Sequence, residues 1–212
     1  MNIKTFVSNP FYENTYVISS AQNNCLIIDP GCYESFERKE LTDFIEMEGL
    51  KVSAIINTHC HIDHVLGNDY LKDTYSVPLK IPIHEQEIFG AIPAYAPQWG
   101  INGYRQAKVD EFLEEGKTIK LDEIEFEMIE VPGHSPGHLV FYQRENKVLI
   151  GGDVLFRESI GRTDLPGGNH DDLLSNIQNK VYVLPEDVTV YPGHGPTTTI
   201  GHEKNNNPFV RG

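Results

Sequence analysis

The first thirty residues alternate apolar and polar positions in short runs. Ile3 to Ser8, Thr15 to Ser20 and Cys25 to Asp29 read as three strands, with Ala21-Gln22-Asn23-Asn24 as the turn between the second and third. Asp29-Pro30-Gly31 ends the third strand. The period then lengthens. Leu41, Phe44, Ile45 and Glu48, with Phe36 ahead of them, predict a helix from Ser35 to Glu48 that stops at Gly49. Val52-Ser53-Ala54-Ile55-Ile56-Asn57 is apolar and partly β-branched, the pattern of a buried strand, and Val65 to Leu71 reads as the first turns of a helix. Leu79 to His84 predicts a further strand, with Pro82 marking an edge or a bulge and His84 a structural residue at its end.

Gly90 to Gln106 has no clear period. Its Pro93, Tyr95, Pro97, Trp99, Gly100 and Tyr104 suit an ordered loop or short helices, serving as a packed connector or as a wall of the substrate pocket. Thr118 to Leu121 and Ile124 to Val131 pair about Asp122-Glu123, and Leu139 to Gln143 and Lys147 to Gly151 pair about Glu145-Asn146. A helix from Asp171 to Lys180 turns Leu173, Leu174 and Ile177 inward, with Asn169 or His170 as its cap. Val188 to Tyr191 is the last strand, followed by a short helix near Ile200 to Asn205. Strand-rich stretches closed by a helix recur in both halves. That predicts one α/β domain over residues 1–212, built as two mixed sheets face to face with helices outside them.

Hydrophobic content of 39% and charged content of 23% are ordinary for a soluble domain. The net charge of −14 argues against a nucleic-acid partner and against an anionic membrane surface. No apolar run approaches the ~20 residues of a membrane span. Met1 leads straight into a strand pattern, with no signal peptide. Cys25, Cys32 and Cys60 are an odd number without framework spacing, so the expected location is the cytoplasm.

The chemistry concentrates in Thr58-His59-Cys60-His61-Ile62-Asp63-His64, on a strand-to-helix turn. Imidazole and carboxylate suit zinc and iron(II). His59 and His61, two apart in an extended segment, point the same way, whereas Asp63 and His64 can aim at a second point. Cys60 faces away from both histidines and reads as a small buried residue. Three more junctions place a ligand type just after a strand, beside Gly or Pro: His134 in Pro132-Gly133-His134-Ser135-Pro136-Gly137-His138, Asp153 in Gly151-Gly152-Asp153, and His194 in Tyr191-Pro192-Gly193-His194-Gly195. His59, His61 and His134 then serve one metal ion; Asp63, His64 and His194 serve another. Asp153 and a water or hydroxide bridge the two, leaving open positions for substrate. His138 is a spare with a structural or orienting role, and His170 and His202 read as surface or rim residues.

In the order and spacing of these residues the chain resembles the metallo-β-lactamase-fold hydrolases. Within them it is most similar to the small hydroxyacylglutathione hydrolase-like (glyoxalase II-like) group. Gly152-Asp153-Val154-Leu155-Phe156, the run from Ser159 to Gly168, Tyr191 to Thr198, Ile200 to Lys204 and Asn207-Pro208-Phe209 carry that likeness. Full-length glyoxalase II enzymes carry a C-terminal helical domain, and here only eighteen residues follow His194. The resemblance implies a four-layer αββα sandwich with the metal site at one edge. It also implies two divalent ions, zinc first and iron or manganese as alternatives, and a small-molecule thioester substrate.

The implied reaction is thioester hydrolysis by a metal-bridging hydroxide that Asp63 helps to orient, with Thr58 and Asp29 orienting imidazoles. Arg157 and Arg162 can hold a substrate carboxylate, although Arg162 also suits a pair with Asp164. The alternative within the superfamily is a persulfide dioxygenase. It also carries a stretch like Gly161-Arg162-Thr163-Asp164 and would use one iron on His59, His134 and Asp153.

Overall fold

A computed structural model describes residues 1–212. The chain falls into two compact units, residues 1–113 with 120–124 and residues 114–119 with 125–212.

The first unit holds β1 (Asn2–Ser8), β2 (Glu13–Ser19), β3 (Asn24–Ile28), α1 (Ser35–Met47), β4 (Lys51–Ile56), α2 (Asn68–Tyr75), β5 (Leu79–Pro82), α3 (Gln86–Tyr95) and β6 (Glu111–Leu113). Its six strands form one sheet in chain order. β1 to β3 pair antiparallel, and β3 to β6 run parallel. Parallel neighbours need a crossover, which α1 supplies between β3 and β4. A capping box starts α1: the Glu37 carboxylate accepts from the Glu34 backbone N–H, and the Glu34 side chain returns the bond. Leu41 and Ile45, four apart, are buried against the sheet, in one core with Val17, Ile27 and Ile55. Leu41 is fully enclosed. Leu41→Ala is expected to cost about 2–5 kcal/mol in urea unfolding.

Phe36 is 68% exposed rather than inward. It lies five residues from Leu41, which turns it well off the Leu41/Ile45 stripe. Helix α2 starts at Asn68, later than expected, because a 3-10 turn over Ile62–His64 precedes it. β5 is an interior strand between β4 and β6, not an edge. Pro82 is tolerated there as its last residue.

The second sheet contains β7 (Thr118–Leu121), β8 (Ile124–Glu130), β9 (Leu139–Gln143), β10 (Val148–Gly152), β13 (Thr189–Pro192) and β14 (Thr198–Thr199), in the order β14-β13-β10-β9-β8-β7. β11 (Leu155–Phe156) and β12 (Ser159–Ile160) form a separate hairpin. α4 (His170–Asn176) and α5 (Ile200–Asn206) complete the unit. Asn169 caps α4, its side chain accepting from the N–H groups of Asp171 and Asp172. The turns after α4, Ile177–Val181, are π-helical, so the expected continuous helix widens there. Leu173 and Ile177 still enter the core with Val140, Leu149 and Val190. Each unit thus supplies one mixed sheet with its own helices, the parts that the sandwich expectation requires.

Candidate metal centre

Parallel strands leave their C-terminal ends side by side, and both units put their candidate ligands just past such ends. In the first unit, β3 ends at Ile28 and β4 at Ile56. Asp29 N–H donates to the Ile56 carbonyl at 2.9 Å, which locks the two ends together. The Asp29 carboxylate then accepts from Thr58 N–H and from Thr58 Oγ1, both at 2.6 Å. Its Oδ2 lies 3.2 Å from Nδ1 of His64.

These contacts decide which imidazole nitrogen carries the proton. A carboxylate only accepts, so the Thr58 hydroxyl proton goes to Asp29. Thr58 Oγ1 is 3.1 Å from Nδ1 of His59, and with its own proton committed it accepts from Nδ1–H there. His64 Nδ1 lies against the same carboxylate, which favours a proton on that nitrogen over a second lone pair. Both rings therefore carry the lone pair on Nε2, the state a metal ligand needs. The His59 ring lies 4.8 Å from that of His61 and 4.1 Å from that of His64, between centroids. Asp63 Oδ2 is 3.7 Å from Nε2 of His64. Asp29, His59 and His64 also fall within 4.8 Å of one another, and both Asp29 oxygens already accept from Thr58. Asp29 thereby fixes the orientation of Thr58 and, through it, of the His59 ring. Asp29→Asn replaces one acceptor oxygen with a donor facing donors. It is expected to weaken metal affinity about 10–100-fold in chelator competition.

The backbone of the cluster is fastened by residues that the sequence did not single out. Asn57 Nδ2 donates to the His64 carbonyl at 2.8 Å, and Asn9 Nδ2 to the Asp63 carbonyl at 2.9 Å. Glu85, fully buried, accepts from Cys60 N–H at 2.9 Å. Burial, with Glu85 and Asp29 nearby, pushes the Cys60 thiol well up. Glu13 is also buried beside His64, and burial pushes its carboxyl well up. The only sequence signal for these residues is a polar side chain within an otherwise apolar run. The stretch from Gly90 to Gln106, expected as an ordered loop or short helices, takes in the second half of α3, with Pro93 inside that helix, and a 3-10 turn over Ala96–Trp99. It brings Tyr95 close to the cluster: burial, then the Asp63 charge, pushes the Tyr95 phenol up to about 12.

In the second unit, β10 and β13 run parallel with a bulge between Ile150 and Gly152, where Gly152 takes φ +47°. Gly193 N–H donates to the Gly152 carbonyl at 2.7 Å, which puts Asp153 and His194 on neighbouring strand ends. Asp153 Oδ2 lies 3.5 Å from Nε2 of His134 and 3.5 Å from Nε2 of His194. One carboxylate oxygen thus faces two imidazole nitrogens. His134 Nδ1 is 2.7 Å from the Arg162 carbonyl, an acceptor, so its proton is on Nδ1 and its lone pair on Nε2. His138 is fully buried, and its Nε2 accepts from Asp153 N–H at 3.0 Å. Arg162 holds Asp164 in a bidentate pair at 2.7 and 2.8 Å, and Arg157 is exposed. His170 is exposed and His202 half-buried.

Each unit therefore presents imidazoles of fixed tautomer beside a carboxylate. This donor set fits divalent zinc, iron or manganese. The profile described as Metallo-beta-lactamase superfamily matches residues 8–194, and the chain belongs to that superfamily. It has the mixed α/β fold of these metallohydrolases. It is 37% identical to hydroxyacylglutathione hydrolase GloC of Haemophilus influenzae over 212 residues, covering 99% of this chain and 98% of that one. Among solved structures it is similar to BLEG-1 B3 metallo-beta-lactamase, with a TM-score of 0.90, 37% identity and full coverage of both chains. It is also similar to TTHA1623 in a di-iron-bound form, with a TM-score of 0.86 and 33% identity over 99% of this chain and all of that one. No helix is long and apolar enough to cross a membrane.

Proposed function

We propose that the protein is a cytoplasmic binuclear metallohydrolase that cleaves a thioester of the hydroxyacylglutathione type, its two units acting as one domain. The observation that carries this reading is where the Nδ1 atoms lie: against Asp29 for His64, Thr58 Oγ1 for His59 and the Arg162 carbonyl for His134, which favours binding through Nε2 in each ring. His59, His61 and His134 would hold one ion and Asp63, His64 and His194 the other, with Asp153 available as a further donor. When bound, zinc (or iron or manganese) supplies activated water at neutral pH and Lewis-acid polarisation of the acyl carbonyl.

This chain's residues do the rest. The Asp63 carboxylate orients the attacking water. Tyr95, the last residue of α3, forms part of the wall. Arg157 takes a substrate carboxylate, a role open to Arg162 only if it releases Asp164. The departing thiol has a pKa near ~8.5 and leaves as thiolate, so no acid residue is required. The relative named hydroxyacylglutathione hydrolase, matched over nearly its whole length, supports the substrate class.

The dioxygenase reading uses only His59, His134 and Asp153 and gives no role to the Asp29-oriented His64. That contact favours the two-ion hydrolase. The test is thiol release from S-lactoylglutathione under strict anaerobiosis. Release at the aerobic rate is expected. No release, together with O₂ uptake on glutathione persulfide, would overturn the proposal in favour of the oxygenase.

A further inference from the structure

We infer that Glu203 and Asn207, on and just beyond α5, are positioning residues for His134 and Asp153, acting through the β11–β12 hairpin. The inference rests on the metal-binding reading above.

The hairpin connects the two segments that shape the second unit's ligands. Asp153 lies two residues before it. Gly161 and Arg162 follow it, and the Arg162 carbonyl is the one that fixes His134. Gly161 packs so closely there that a Cβ would stand 1.9 Å from the Asp153 carbonyl oxygen and 3.0 Å from His134 Nδ1. Its two strands pair at only Leu155↔Ile160 and Phe156↔Ser159. A hairpin this short does not hold its own shape in water. Its turn also contains Glu158 at φ +57°, a conformation that a non-glycine residue adopts at a cost. Something outside the hairpin must hold it.

Glu203 and Asn207 do so from α5. Both are fully buried. Glu203 Oε2 accepts from Glu158 N–H at 2.9 Å, at the hairpin tip, and from Asn207 Nδ2 at 2.8 Å. Its Oε1 accepts from the Thr198 hydroxyl. Asn207 Nδ2 also donates to the Ser159 carbonyl at 3.0 Å, and its Oδ1 accepts from Phe209 and Val210 N–H at 3.0 and 3.3 Å. A buried carboxylate is tolerated only when donors surround it, and two of the three donors on Glu203 belong to the hairpin or to the residue that grips it. His202, in the same helix, adds a 3.0 Å contact to the Glu158 carboxylate. From the hairpin tip, the path runs through two strand pairs to the Arg162 carbonyl and the His134 proton. A displaced hairpin releases that proton and with it the ring's orientation.

The test compares wild type with Glu203→Gln, Glu203→Ala, Asn207→Ala and, as a stability control in the other unit, Leu41→Ala. Gln can keep one oxygen on the two hairpin-side donors and turn its amide to Thr198, so it is the rescuing variant. Two readouts are used: the His134 tautomer by nitrogen NMR of the metal-free protein, and zinc affinity by chelator competition.

Wild type and Glu203→Gln are expected to keep the proton on Nδ1. Glu203→Ala and Asn207→Ala are expected to show averaged tautomers and about tenfold weaker zinc binding. Leu41→Ala should lower Tm and move neither readout. If Glu203→Ala does not fold, Asn207→Ala carries the comparison. An unchanged His134 signal with unchanged zinc affinity in the alanine variants, or equal changes in Leu41→Ala, would overturn the inference. A wild type that takes up no zinc would instead overturn the metal reading, while the tautomer comparison would still decide this one.

Discussion

Asp153→Ala is expected to lower kcat/KM for a thioester substrate by about 10³-fold or more, equivalent to roughly 4 kcal/mol of transition-state stabilisation. It should also leave the protein short of metal while still folded. Asp153 Oδ2 faces Nε2 of both His134 and His194 at 3.5 Å, so one substitution removes a donor from both proposed ions. The backbone consequence is small, because the N–H that His138 accepts from remains. Kinetics and metal analysis on the same preparation, with circular dichroism to show the fold, would check this. Full metal content with wild-type turnover would contradict the role given to Asp153.

Gly161→Ala is expected to be nearly as damaging, for a steric reason. The added Cβ would stand 1.9 Å from the Asp153 carbonyl oxygen, which is backbone and cannot swing aside as a side chain would. Relief requires moving either the strand end that holds Asp153 or the segment whose next carbonyl fixes His134. Overpacking of this kind costs about 1–3 kcal/mol, and more where backbone must move. Urea unfolding should show that loss, with activity falling by more than the folded fraction does. A variant of wild-type stability and activity would mean that this close approach is not needed.

The candidate ligands were legible in the sequence as local patterns: His59 to His64 as a dense cluster after a strand, and His134, Asp153 and His194 each after a strand beside Gly. The longer elements were legible for a similar reason: β1 to β3, α1 and the β9–β10 hairpin each declare their period over five or more residues. β6, β11, β12 and β14 are two or three residues long, too short for any period, and their pairing is decided by distant partners. The same holds for the residues that orient the ligands. Asp29 and Thr58 stand next to the motif or at a strand end and could be suspected. Glu13, Glu85 and Asn9 reach the cluster only after folding brings β2, the turn after β5 and the β1–β2 turn to it. Glu203 was visible only as part of a family-like ending; its grip on Glu158 spans forty-five residues of chain.

The central claim is that the chain holds two metal ions. The most direct measurement is elemental analysis of protein purified without added metal and then titrated with zinc, expressed as ions per chain. Saturation at about two ions per chain is expected, whichever of zinc, iron or manganese is first present. Saturation at about one ion, with no second site filling on titration, would contradict it.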